Sequence, residues 1–245
     1  FVTDRVLPHA DGWEAQGHVP RDVLRDMGEL GLFGIRFDPE YGGSDLDTLT
    51  TVVLAEELGR STYGGFAITV LVHTDMATPH LHHAGTPEQK ARLMPDLIAG
   101  RKIAAVAMTE PDAGSDLQSM RGTARRVGDE WVLNGTKMFI TNGVHADVYF
   151  VAMKTGEPGR NHQMSMFIVE KGAPGFRVAR PLDKQGWLSS DTAELVFEDC
   201  RIPAANLLGE EHRGFQSLVK NLQNERIVLG AQAMVPRRHL EAEDR

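Results

Sequence analysis

The feature that most constrains this chain is a change of hydrophobic period near Lys102. Before it, apolar residues recur at helical spacing. After it, they alternate or run in blocks of strand length. Val23, Met27 and Leu30 follow i, i+4, i+7, which predicts a helix burying those three. Leu49, Val52, Val53 and Glu56 continue the same period, and AEELGR ends that helix at Gly59. GTPEQKARLMPDLIAG carries a full set of boundary signals. Thr86 is the N-cap, Pro87 takes the first helical position, Gln89 completes a capping box and Gly100 ends the segment.

Beyond Lys102, KIAAVAMT is a short apolar run. GTARRVGDEWVLNGTKMFITNG alternates, and its Asn134-Gly135 between two strand-like runs predicts a hairpin there. DVYFVAMK, QMSMFIVEK, FRVAR and TAELVFED follow at strand length, with turns between them. A long helix then starts near Glu211 and runs towards the C-terminus, with an interruption expected at Pro236. The expected fold class is α+β. An all-helical domain over residues 1–103 precedes a β-barrel or sandwich-like middle domain over 104–210. Residues 211–245 begin a C-terminal helical bundle. That last helix has Phe215, Leu218, Val219, Leu222, Ile227, Val228 and Leu229 on more than one side, so it needs neighbours that this chain does not supply.

Composition narrows the function classes. An apolar fraction of 41% over 245 residues allows a substantial core. A formal net charge of -8 argues against a general nucleic-acid binder, which needs a basic surface. The single cysteine, Cys200, has no internal partner and points to a reducing compartment: the cytoplasm, or alternatively the mitochondrial matrix. No apolar run is long enough to span a bilayer, and no secretory leader opens the chain at Phe1. Neither a P-loop nor a strand followed by G-x-G-x-x-G is present.

Five features are candidates for chemistry. His73, His80, His82 and His83 cluster in HTDMATPHLHHAG, but no second element closes a ligand shell, so a packed or solvated helix end is the better reading and no metal is expected. Cys200 has no nearby histidine and reads as a small buried residue. The stretch VAMTEPDAGSDLQS leaves a buried strand at Thr109 and crowds Glu110, Asp112 and Asp116 with Pro, Gly and Ser. Gly114 allows close backbone approach, and Ser115 offers a hydroxyl and an N–H beside it. Taken alone, an ordinary turn and a ligand-gripping loop read equally well. In WVLNGTKMFITNG, Phe139 and Thr141 lie two apart on one face of a strand, which suits a planar cofactor or an ordinary half-buried strand. On the last helix, Phe215, Leu218, Leu222, Glu225 and Leu229 share a stripe, and Glu225 is its only acid. An unpaired buried carboxylate costs on the order of several kcal/mol, so Glu225 is either salt-bridged to an arginine or functional.

In combination these segments are far more specific. AMTEPDAGSD, LNGTKMFITNG and DTAELVFEDCRIPAANLLGEEHRGF, in this order and spacing, closely resemble the acyl-CoA dehydrogenase family. The resemblance runs from LGLFGIRFDPEYGGSD through NERIVLGAQA. It implies FAD held against the middle domain and oxidation of an acyl-CoA thioester to the trans-2-enoyl-CoA. It also implies electron transfer to an electron-transferring flavoprotein, and a homodimer or homotetramer. The alternatives are an acyl-CoA oxidase or flavin monooxygenase on the same fold, or a non-catalytic acyl-CoA-binding scaffold.

Carried over residue by residue, the resemblance assigns the flavin to Met108, Thr109, Gly114 and Ser115. Phe139, where many relatives have Trp, and Thr141 fall near its reactive edge. Ser115 also faces the CoA, and Gln223 to Arg226 match a CoA-contacting segment, although many relatives have Asp at the position of Gln223. Glu110, Asp112 and Asp116 are left with structural duties in the loop. Most members carry the catalytic base later in the C-terminal domain. The long-chain and isovaleryl types carry it on this helix, as the Glu of an ER pair, and NERIVL makes Glu225 that base.

Overall fold

The computed structural model describes residues 1–156 and 163–243, with side chains as far as Val235 in the last helix. Six α-helices come first: α1 (Ala10–Gln16), α2 (Arg21–Glu29), α3 (Thr48–Gly59), α4 (Gly64–Leu71), α5 (Thr78–Ala84) and α6 (Pro87–Ile98). Between α4 and α5 the chain widens into a π-helical turn, Val72–Ala77, without leaving helical backbone angles. The capping box of α6 forms as predicted. Gln89 N donates to Thr86 Oγ1 at 3.2 Å, and Thr86 N donates to Gln89 Oε1 at 3.0 Å. The amide of Gln89 then reaches the carbonyls of Ala205 and Leu207 at 2.7 and 2.8 Å, tying this helix to the chain that leaves the sheet.

Two expected helix faces are corrected. In α2, Val23 and Met27 are buried, but Leu30 is 62% exposed, because the helix ends at Glu29 and Leu30 is its C-cap. In α3 the buried residues are Thr51, Leu54, Ala55, Leu58 and Gly59, whereas Leu49 and Val53 are exposed. That helix is apolar on two faces, so periodicity alone does not identify the one that packs inward.

Among the described residues, eight strands form one sheet: β1 (Ala104–Ala107), β2 (Thr123–Val127), β3 (Glu130–Thr141), β4 (Val148–Lys154), β5 (Met164–Glu170), β6 (Phe176–Pro181), β7 (Thr192–Pro203) and β8 (Leu207–Leu208). Their order is β6-β7-β3-β2-β4-β5-β8, with β1 parallel to β4. β1 runs along the first half of β4, and β2 touches the same edge only at Lys154, so the sheet splits there and folds over. β4 is therefore buried on both faces. Val148, Phe150 and Ala152 meet the helices, while Tyr149, Val151 and Met153 meet the core made with β3 and β7. Cys200 lies in that second core, and burial pushes its thiol up to about 11.

The hairpin is displaced from its expected place. β2 and β3 are joined at Gly128-Asp129, where Val127 pairs with Glu130 and Gly128 takes φ 61°. Asn134-Gly135 instead forms a bulge inside β3, at a register shift against β7. Gly135 has φ 150°, and a Cβ there would lie 2.7 Å from the Cα of Gly122. Asn134 pins the opposite strand, exchanging hydrogen bonds of 3.1 and 2.8 Å with Asp199.

The last helix, α7, spans Gly214–Glu243 as one run, so the interruption expected at Pro236 does not occur. Its Leu218 enters the core beneath the sheet, and its Val228 enters that of the N-terminal helices. α3 and α7 approach very closely: a Cβ on Gly59 would lie 2.4 Å from the carbonyl oxygen of Gln232. Elsewhere on α7, Val219, Ile227, Leu229 and Met234 are exposed.

Candidate active site

The loop after β1 is organised around a buried ion pair. Glu110 lies under the loop, and its carboxylate accepts from Lys137 Nζ at 2.8 Å, from Arg121 N at 2.5 Å and from Gly122 N at 3.0 Å. Lys137 also donates to the carbonyl of Met108 at 3.0 Å, and the side chain of Lys137 is fully buried. Burial lowers the Lys137 pKa, against the opposing pull of Glu110. This pair ties the chain leaving β1 to the second half of β3. The carbonyl of Thr109, just beyond β1, accepts from Met138 N of β3 at 2.8 Å and holds the start of the loop against that strand. Asp112 pairs with exposed Arg121 at 3.4 Å, and Asp116 caps the turn at Leu117–Ser119.

The loop and the end of β3 also carry open polar groups. Among the described residues, the Thr109 N–H and hydroxyl, the Ser115 N–H and hydroxyl, and the Thr141 hydroxyl have no hydrogen-bond partner. Gly114 and Ser115 are exposed, and a Cβ on Gly114 would meet nothing within 4 Å. Phe139 is 66% exposed and held at φ 60°, a left-handed conformation that is unusual for a bulky residue. It sits at a second register shift of β3 against β7, between Lys137 and Ile140. The expected simple alternation from Phe139 to Thr141 is therefore corrected: a bulge, not a regular strand, presents them.

The second cluster lies on α7. Glu225 is partly buried, and Asn221 donates to its Oε1 at 2.8 Å. Burial raises the Glu225 pKa; the Asn221 hydrogen bond opposes this and the nearby Asp75 carboxylate adds to it. Asp75 belongs to the π-turn and is itself buried, with its pKa raised by desolvation. Its carboxylate accepts from Thr74 Oγ1 at 2.7 Å and from Asn224 Nδ2 at 3.3 Å, and Arg36 donates to Asn224 Oδ1. Among the described residues, no lysine or arginine forms an ion pair with Glu225. Gln223 and Arg226 are exposed on α7.

The structure thus brings Met108, Thr109, Glu110 and Lys137 together, and separately Asp75, Asn221 and Glu225. Among the described residues, no hydrogen bond joins the two clusters; they share the core beneath the sheet, to which Met108, Leu117, Phe215 and Leu218 all contribute. Lys137, Asp75, Asn221 and Arg36 carry no signal in the sequence that marks them as site residues, and Asn224 is expected only as part of the Gln223 to Arg226 segment. Asp75 lies inside the histidine-rich segment, with no spacing signal that sets it apart from its neighbours. His73 proves to be a packed histidine: its ring receives Ala104 N at 3.0 Å and lies 3.0 Å from the carbonyl of Leu97.

The sequence profile of the acyl-CoA dehydrogenase N-terminal domain matches residues 1–101, and that of the middle domain matches residues 105–200. The chain belongs to the acyl-CoA dehydrogenase family. It is 43% identical to the mouse mitochondrial long-chain specific acyl-CoA dehydrogenase over 236 residues, covering 96% of this chain and 54% of that protein. It is 39% identical to the rice mitochondrial isovaleryl-CoA dehydrogenase over 233 residues, covering 94% and 57%. The acyl-CoA dehydrogenase of Bacillus anthracis, solved in complex with FAD, superposes with a TM-score of 0.88 at 37% identity, covering 94% of this chain and 39% of that one. The chain spans about half the length of the curated acyl-CoA dehydrogenases it matches. Among the described residues, no helix is long and apolar enough to cross a membrane.

Proposed function

We propose that the full-length protein is an FAD-dependent dehydrogenase that oxidises an acyl-CoA thioester to the trans-2-enoyl-CoA, and that Glu225 is its base. One observation carries this reading. Glu225 is a partly buried carboxylate with a raised pKa, a neutral amide as hydrogen-bond partner and a second carboxylate nearby. A structural acid is normally neutralised, as Glu110 is by Lys137. An acid kept apart from cations retains affinity for a proton, which suits a general base.

The open groups after β1 fit the flavin. Isoalloxazine carries several ring acceptors and a flat apolar surface. Unpartnered N–H and hydroxyl donors on Thr109, Ser115 and Thr141 match the first, and the exposed ring of Phe139 matches the second. Met108 forms the floor, and Gly114 leaves room for close approach. FAD, when bound, supplies the acceptor for the hydride from the β carbon. The chain's own work is to hold the cofactor, orient the thioester and take the α proton at Glu225. Ser115, Gln223 and Arg226 are exposed and available to the CoA moiety; a guanidinium suits its phosphates.

The family resemblance further supports a homodimer or homotetramer and an electron-transferring flavoprotein as acceptor. The mitochondrial names of the curated relatives favour the matrix over the cytoplasm.

The test uses the full-length protein prepared with FAD. It is expected to be yellow, to bleach anaerobically with an acyl-CoA, and to be reoxidised by an electron-transferring flavoprotein far faster than by oxygen. A colourless preparation would point to the scaffold reading, and rapid reaction with oxygen to an oxidase. Ser115→Ala and Thr141→Val are expected to weaken flavin retention or turnover with little change in melting temperature.

A further inference from the structure

We propose that Asn221 is a positioning residue. It holds the carboxylate of Glu225 against the π-turn Val72–Ala77, so that the N-terminal helical domain sets where that carboxylate lies. The proposal rests on Glu225 being the proton acceptor.

The anchor originates in a proline. Pro79 has no N–H, so the carbonyl of Asp75, four residues earlier, receives no α-helical donor. The helix widens at this point, and Thr78 N reaches back five residues to the carbonyl of His73. Asn221 fills the opening from α7. Its Nδ2 donates to the carbonyls of Asp75 and Met76 at 2.9 and 3.2 Å, and to Glu225 Oε1 at 2.8 Å. Asn221 is 2% exposed, and it lies one helical turn before Glu225, the spacing at which side chains on one helix meet. One amide thus has two fixed backbone acceptors on one side and the carboxylate on the other.

The surrounding charges explain the use of an amide. Asp75 faces the site from the π-turn, Arg36 reaches Asn224 from the segment after α2, and Arg226 is exposed on α7 itself. A cation at position 221 would orient Glu225 equally well but would hold it ionised and weakly basic. A neutral donor orients the carboxylate at a smaller cost in basicity, while Asp75 acts in the opposite sense.

The test is anaerobic stopped-flow reduction of the flavin in the full-length, FAD-loaded protein. The probe is whichever of a straight-chain acyl-CoA or isovaleryl-CoA bleaches the wild type. Asn221→Ala is expected to slow flavin reduction about tenfold, the scale of one hydrogen bond to a charged group. Acyl-CoA affinity should stay within about twofold, since the amide contacts no ligand group in this reading. The acid limb of the pH–rate profile should move to higher pH, because a bond favouring the charged form is lost. Asp75→Asn removes the like charge and should move the same limb to lower pH. General loosening of the fold would not move the limb in opposite directions. An unchanged rate and limb in Asn221→Ala, or limbs moving the same way in both variants, would overturn the proposal. If Asn221→Ala does not fold, an unmoved limb in Asp75→Asn overturns it alone. Glu225→Gln is run beside them. If it still bleaches at the wild-type rate, the base assignment itself has failed. If it is inactive while the other two behave as wild type, only the positioning role has failed.

Discussion

Two glutamates of this chain, one buried and one partly buried, sit in opposite electrical settings. Glu110, below the loop after β1, is met by an ammonium and two backbone N–H groups. Glu225, on α7, is met by an amide and lies near a second buried carboxylate. The first arrangement satisfies a charge and so fixes a loop. The second leaves the charged form disfavoured, and so keeps a group able to take up a proton. The contrast indicates that the partner set, more than burial, separates a structural acid from a reactive one.

The sharpest way to break this contrast is to neutralise each acid. Glu225→Gln in the full-length enzyme is expected to retain FAD and acyl-CoA while flavin reduction falls by roughly 10²–10⁴-fold, the range set by loss of a general base. Stopped-flow bleaching measures it, and a near wild-type rate would move the base elsewhere. Removing the cation from the other site gives the opposite phenotype. Lys137→Met strands the Glu110 carboxylate and should cost about 3–5 kcal/mol of stability, read by urea unfolding. Loss of less than about 1 kcal/mol would mean that the pair contributes little to the loop.

Stability against pH sharpens the comparison further. The Glu225 pKa is raised in the folded state, so the native protein binds its proton more tightly than the unfolded chain does. The stability this contributes is fully present below the ordinary carboxylate range and is lost as pH rises through the folded value. Glu225→Gln should therefore melt higher than wild type at neutral pH, and the difference should vanish in acid. Equal melting at both pH values would show that Glu225 carries no charging penalty. A smaller effect belongs to Phe139. Phe139→Gly relieves its left-handed backbone, worth about 1 kcal/mol, while flavin is released more readily. Tighter flavin retention in that variant would remove the ring from the proposed site. The smallest effect is expected at Asp112→Ala, since its ion pair with Arg121 lies in solvent; no measurable change in melting or turnover should follow.

Much of this was legible beforehand where local chemistry decides. The capping box of α6 and the strand-length blocks follow from residues close in sequence. The failures share one cause, a choice settled by a distant segment. Asn134-Gly135 has the composition of a turn, yet the crossing of Gly122 and the grip on Asp199 make it a bulge. Leu49 and Val53 have the spacing of a core face, yet α7 covers the other side of α3. Glu225 could be singled out by its stripe, but Asp75 and Asn221 lie 146 residues apart in sequence, and no local pattern links them.

The contact between α3 and α7 contains two departures from ordinary helix grammar. Gly59 is a poor helix former, and Pro236 lies deep in a helix that ought to stop there. Pro236 supplies no N–H to the carbonyl of Gln232, and that carbonyl is the atom against which Gly59 lies. A proline bares an oxygen on one helix, and a residue without a side chain lets the other helix settle onto it. What reads in the sequence as two unrelated blemishes is, in three dimensions, a single joint seen from its two sides.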